Sequence, residues 1–248
     1  MKPGRWSRRF YPLRAQAVAR EQPTCEPSST PSFISSAPAV SGGCCRMTFQ
    51  LGVRSTNYFR TWEAAGVWVQ LHRTMYEQVR IAAGRAACPS VVIMDAQSVK
   101  TTERGGTRGF DAHKRGRGRK RHILVDTLGL PIASRVEPAD TSDRRGGARL
   151  GAGLAPLFPR IHTVIADAGH ESRKLARELL RQDGWMLQIV KRRQRAFQIT
   201  GLTWIVERSF AWLGRNRRLS KDYEYRVQTS ELMIDVAATR LMLNRMAR

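Results

Sequence analysis

Apolar and polar positions fall into short blocks along this chain, and the blocks predict a mixed α/β order. Val91-Val92-Ile93-Met94 is an apolar run that meets Asp95 and then polar Gln97 and Ser98, so it reads as a buried strand over 91–99. Ile123-Leu124-Val125-Asp126 and Pro131–Val136 read as two more strands, turned at Gly129 and Pro131. Thr163-Val164-Ile165-Ala166-Asp167 repeats the pattern of an apolar run closed by an aspartate, with Gly169 behind it. Trp185–Val190 reads as a further strand that runs into Lys191-Arg192-Arg193.

Helical spacing separates these strands. Thr141 or Ser142 caps a predicted helix covering Leu150, Leu154 and Leu157, weakened by Gly146, Gly147, Gly151 and Gly153. Glu171–Gln182 is amphipathic, with Leu175, Leu179 and Leu180 predicted inward and a stop near Gly184. Trp204–Trp212 carries Val206 and Phe210, continued by Leu213, as an apolar stripe, with Glu207 at its margin. Ser230–Met246 is the last predicted helix, with Leu232, Val236 and Leu243 on one face. Strands alternating with helices in this way predict a mixed sheet with helices on both faces.

Upstream of the first strand the pattern changes. Residues 1–46 mix Pro23, Pro27, Pro31 and Pro38 with serines and Gly42-Gly43, a composition that buries too little apolar surface to order itself, so a disordered arm is expected. Residues 47–88 read as a small helical region. Ser55 would cap a helix holding Tyr58, Phe59 and Trp62, continued after Gly66 by Trp68, Leu71 and Tyr76. The aromatics are read as core, with a DNA-contacting surface through Arg60 and Arg73 as the alternative. Residues 89–248 form the sheet domain on this reading.

Charge adds a partner. The chain has 248 residues and a formal net charge of +23, an excess that implies a polyanion, most simply nucleic acid. A glycine-rich basic loop is read from Thr101 to about Arg117, with Arg117–His122 leading into the second strand; eight Lys/Arg against two acids lie between Thr101 and His122, which suits phosphates. No stretch approaches the roughly 18 apolar residues needed to span a bilayer, so no membrane partner is expected. The four cysteines show no C-x-x-C spacing, which fits reduced, intracellular thiols without structural zinc. His122 and His170 are read as ordinary surface or hydrogen-bonded histidines rather than general bases.

Two strand-end aspartates and one helical glutamate together suit hard divalent cations. Mg2+ takes carboxylate oxygens, and two such ions about 3.5–4 Å apart serve both the attacking and the leaving oxygen of a phosphodiester. The motifs around these acids are also familiar. Met94-Asp95-Ala96-Gln97-Ser98-Val99-Lys100-Thr101-Thr102-Glu103, Gly118–Gly129, Ile165-Ala166-Asp167-Ala168-Gly169 and, most strongly, Trp204–Glu224 resemble, in order, the motifs of bacterial insertion-sequence transposases with a DDE catalytic triad. The resemblance covers about Met47 to Arg248. It implies an RNase H-like fold and metal-dependent DNA strand cleavage and strand transfer.

By position, Asp95, Asp167 and Glu207 match the family's three metal-binding catalytic acids, implying Mg2+ or Mn2+, two ions in all. Lys100, Arg117, Arg119, Lys120, Arg121, Arg208, Arg215, Arg217, Arg218 and Lys221 are the expected DNA contacts. The implied partners are the element's ends, target DNA and further copies of the chain in a homo-oligomer. The chain departs from the family pattern at Thr203, where a basic residue often stands four positions before the glutamate, and at Gly169-His170, where Gly-Tyr is expected. The alternative reading is a truncated, catalytically inactive remnant that only binds DNA. An RNA-binding protein and a structure-selective nuclease are more distant rivals.

Overall fold

The structure, a computed structural model, describes residues 57–103, 106–190 and 202–247. The chain divides into two compact units, Met1–Asn57 and Tyr58–Arg248. The arm expected at 1–46, the cap at Ser55 and the Lys191-Arg192-Arg193 run lie outside the described residues.

After a helical stretch at 57–64, the second unit runs α1 (Val67–Ala82), β1 (Val91–Lys100), β2 (Gly109–Asp111), β3 (Gly116–Asp126), β4 (Pro131–Pro138), α2 (Asp143–Gly151), β5 (Thr163–Asp167), α3 (Arg173–Asp183), β6 (Met186–Val190), α4 (Thr203–Gly214) and α5 (Val227–Met246). The sheet order is β2-β3-β1-β5-β6, with β4 also pairing β3. β3 is antiparallel to β1 and β4, whereas β1, β5 and β6 are parallel. A mixed sheet flanked by helices is the RNase H-like α/β arrangement expected from the sequence.

Local chemistry accounts for the ends of the elements. The Ser142 and Ser172 side chains accept from the Arg145 and Leu175 amides and start α2 and α3. Gly184, at φ 72°, closes α3 in the left-handed conformation that a Cβ disfavours.

Period-2 alternation then sorts the sheet into two apolar faces. Val92, Met94, Leu124, Val164 and Ala166 join Tyr76 of α1, Leu150 of α2, Leu175 and Leu179 of α3, Trp185 and Met242 of α5. Ile93, Ile123, Val125 and Ile165 point the other way, onto Ile205, Val206 and Phe210 of α4. The stripe read on α4 is therefore its buried face.

Two inward assignments are corrected. Leu180 is exposed, because it lies about 100° around α3 from buried Leu179. Leu243 is also exposed and Val236 only half-buried. α5 packs on two sides, with Ala238 and Met242 in the main core and Ile234 and Ala237 beside Val136, Leu213 and Leu219, so its buried surface is not one stripe.

The basic segment is also corrected. The loop read from Thr101 to about Arg117 contains β2 and the start of β3, where Arg117 pairs Phe110, and 118–122 is already paired strand, matching Lys100 to Ala96 of β1. Gly118 is required there, since a Cβ would sit 2.0 Å from the Val99 carbonyl oxygen.

Two buried histidines make stability pH-dependent. Burial lowers His72 and His122 to about 4. Glu137 and Asp143 oppose the shift at His122, while His170 and Lys120 reinforce it. Unfolded histidine titrates near ~6.5, so below that pH the unfolded chain takes up protons that the folded chain refuses. The stabilisation is full above about pH 6.5 and is lost as pH falls toward 4. Buried acids titrate in the opposite sense, so the histidine contribution is read as a difference between proteins. The stability of His122→Leu relative to wild type should rise on acidification from pH 7 to 5, by on the order of 2 kcal/mol in denaturant titrations. An unchanged difference would show that His122 is protonated inside the fold.

Candidate metal centre

Adjacent parallel strands bring the two aspartates together. β1 and β5 are in register from Val91 with Thr163 to Met94 with Ala166, so Asp95, midway along β1, and Asp167, at the end of β5, follow the paired stretch side by side. Each lies two residues past an isoleucine, Ile93 or Ile165, that packs against α4. Alternation therefore turns both carboxylates toward the face that α4 covers. Glu207 follows Val206 on α4, on the exposed side of the helix.

One carboxylate oxygen of each aspartate is anchored. Asp95 Oδ1 accepts the Ala96 amide at 2.7 Å, and Asp167 Oδ1 accepts the Gly169 amide at 3.0 Å. Ala168–His170 forms a single helical turn capped by Asp167, which folds the His170 ring back so that Nδ1 lies 2.8 Å from Asp167 Oδ1. Among the described residues, one group of metal-capable side chains converges, Asp95, Asp167 and His170, with donor atoms within 4.8 Å of one another. Glu207 is outside that trio.

A fourth acid borders the trio. A Cβ on Gly169 would lie 3.1 Å from Asp167 Oδ1 and 3.4 Å from Asp143 Oδ2, so two carboxylates approach that glycine. Asp143 opens α2 and pairs with Lys120 Nζ at 3.0 Å.

The two aspartates are driven apart electrostatically. Burial, reinforced by the Asp167 and Asp143 charges, pushes Asp95 up to about 6. The hydrogen bond from His170, with its charge and the Gly169 amide, holds Asp167 below the ordinary carboxylate range. A negative pocket of this kind gains most from a bound cation. The donors, carboxylates and an imidazole, fit a divalent metal.

Residues 86–242 match the protein family described as "Transposase DDE domain". The chain belongs to that family. The matched span contains Asp95, Asp167, His170 and Glu207. The chain is also 29% identical over 139 residues, 53% of its own length, to a Burkholderia cepacia protein named "Putative transposase for insertion sequence element IS402". It spans 65% of that protein's length.

Within this DDE-domain chain, the predicted phosphate contacts divide into two groups. Lys100, Arg117, Arg215, Arg217, Arg218 and Lys221 are exposed. Arg218 is paired with Glu224 at 2.6 Å. Lys120 is half-buried and donates to the Thr141 carbonyl at 2.9 Å besides its pair with Asp143.

Arg119 and Arg121 are corrections. Both lie on the β3 face that carries Ile123 and Val125, and both are buried. Arg119 is fully enclosed, pairs with Asp222 at 3.2 Å, and donates to the carbonyls of Thr107, Glu224 and Tyr225. Arg121 donates to the carbonyls of Leu219 and Lys221. They hold the segment between α4 and α5 onto the sheet. Arg208 is half-buried between Trp204 and Trp212, with its guanidinium 4.5 and 4.7 Å from the ring centres. Aromatic faces, rather than an open phosphate site, are its neighbours.

His170 and Asp143 were not legible as site residues. The usable signal for His170 was its place three residues after a strand-end aspartate, across a glycine, where one tight turn returns a ring onto the carboxylate. For Asp143 there was only a helix-start serine before it.

Proposed function

We propose that this chain is the catalytic part of a DNA transposase, cutting phosphodiester bonds at the ends of an insertion sequence and joining the freed ends to target DNA. The observation that carries this is the pair Asp95 and Asp167 on adjacent parallel strands, with carboxylates that converge beside His170. Family membership supports the reading.

Asp95, Asp167 and Glu207 would hold two divalent ions, Mg2+ or Mn2+, which supply charge neutralisation at the attacking and leaving oxygens. The chain's residues then orient the DNA. In the first step water cleaves a phosphodiester at the element's end and leaves a 3′-hydroxyl. In the second that hydroxyl attacks a target phosphodiester in line and displaces the target's own 3′-oxygen. Lys100, Arg117, Arg215, Arg217 and Lys221 contact phosphates along the exposed edge. Two DNA ends must be held at once, which a homo-oligomer provides. Among the described residues no helix is long and apolar enough to cross a membrane.

The test is a gel assay of supercoiled plasmid carrying the flanking element ends, with Mg2+ or Mn2+, comparing wild type with Glu207→Gln. Nicking by the wild type alone is expected. DNA binding without nicking in both proteins would replace this reading with the inactive remnant.

A further inference from the structure

We propose that His170 is a direct nitrogen ligand of the metal centre and that it gives the site a preference for Mn2+ over Mg2+. The proposal rests on the two-aspartate site described above and adds to it the identity of a ligand and of the ion.

Geometry comes first. His170 Nδ1 is 2.8 Å from Asp167 Oδ1, and donor atoms of the two residues converge with one of Asp95 within 4.8 Å. Two neighbouring donors on an octahedral ion with bonds of about 2.1 Å are themselves about 3 Å apart. The spacing between ring nitrogen and carboxylate oxygen is thus already that of two ligands in one coordination shell.

The ring is held in this position. His170 is 1% exposed and enclosed beside α2. A Cβ at Gly147 of α2 would lie 3.4 Å from His170 Cδ2, an ordinary packing distance, so this turn of the helix lies against the ring. The ring cannot swing away without moving α2. Among the described residues Nε2 has no hydrogen-bond partner. The polar contact that orients the imidazole is the one toward the acids. An enclosed imidazole turned onto carboxylates carried by two paired strands is a preorganised donor set.

The chemistry sets the ion. Mg2+ takes oxygen ligands and dehydrates reluctantly, so a nitrogen adds little to its affinity. An imidazole raises affinity for first-row transition ions, of which Mn2+ also accepts carboxylate and water. A two-carboxylate, one-imidazole shell therefore favours Mn2+, whereas carboxylates alone would hold both ions with less discrimination.

Pulsed EPR of the full-length protein loaded with Mn2+ tests this directly, because a bound imidazole produces a nitrogen hyperfine coupling that a hydrogen-bonded histidine outside the shell does not. The coupling is expected in wild type and absent in His170→Gln. Calorimetric titration should show Mn2+ binding weakened about tenfold or more in that variant, with Mg2+ binding changed little. Bound Mn2+ without nitrogen coupling in wild type would overturn the ligand assignment and leave the carboxylate site standing. So would equal losses of both ions in His170→Gln. The wild-type spectrum decides the point even if the variant does not fold. Asp95→Asn separates the two levels. If wild type and Asp95→Asn bind Mn2+ alike, or neither binds, the carboxylate site fails and this proposal fails with it.

Discussion

Asp95→Asn is expected to abolish the proposed metal-dependent DNA nicking and to leave DNA binding intact. Asparagine has the shape of aspartate, and its side-chain oxygen still accepts the Ala96 amide that Asp95 Oδ1 accepts now. What disappears is the negative charge beside Asp167. Charge stabilisation by a metal at the reacting phosphate is worth several kcal/mol, so losing the ion costs about 10²–10³-fold or more in rate. The fold should not suffer. Burial and the nearby Asp167 and Asp143 charges already push Asp95 up to about 6, so a neutral side chain relieves repulsion there. Duplex binding measured by fluorescence anisotropy should be unchanged, since it depends on exposed cations rather than on this carboxylate. Full nicking activity in the variant would remove Asp95 from the catalytic site.

Arg119→Ala destabilises the fold by about 3–5 kcal/mol, the usual cost of removing one partner of a buried ion pair. The guanidinium has no exposed surface and pairs with Asp222, which is itself buried. Alanine would strand that carboxylate beside the backbone, with the Ser230 hydroxyl at 2.7 Å and the Glu224 amide at 3.1 Å as its other donors. It would also leave the carbonyls of Thr107, Glu224 and Tyr225 without their donor. Arg117, two residues earlier and exposed, is the control. Arg117→Ala should stay within about 0.5 kcal/mol of wild type and weaken DNA binding with a shallower salt dependence. Equilibrium denaturation and salt-dependent binding separate the two variants. If Arg119→Ala keeps full stability and loses only DNA affinity, the structural role is wrong and the original phosphate reading returns.

Arg119 also shows what a linear reading misses. The run Arg117-Gly118-Arg119-Lys120-Arg121 has the composition of a solvated, phosphate-binding stretch. Its alternation continues that of Ile123 and Val125, so Arg119 and Arg121 share their buried face. Nothing local says that the face is covered at that point. The cover comes from Leu219–Tyr225, about 100 positions away, whose carbonyls and Asp222 receive the guanidinium groups. Leu180 and Leu243 failed for a related reason. Periodicity gives a helix its stripe, but the width and number of its buried sides depend on its neighbours.

The sequence by itself determined most of the elements, the apolar alternation of the strands, the two aspartates that close apolar runs and the family motifs. Each of these is a matter of local spacing, whether period 2, period 3.6, or a carboxylate at the end of an apolar run. Tertiary structure alone decided that β1 and β5 are parallel neighbours, which turns two acids 72 positions apart into one site. It also decided that His170 is enclosed against Asp167 rather than lying on the surface, and that two of the strongest-looking DNA contacts are internal struts. The physical reason is the same in each case. The free energy of a charged or polar side chain depends on what lies against it, and partners distant in sequence leave no mark on the local pattern.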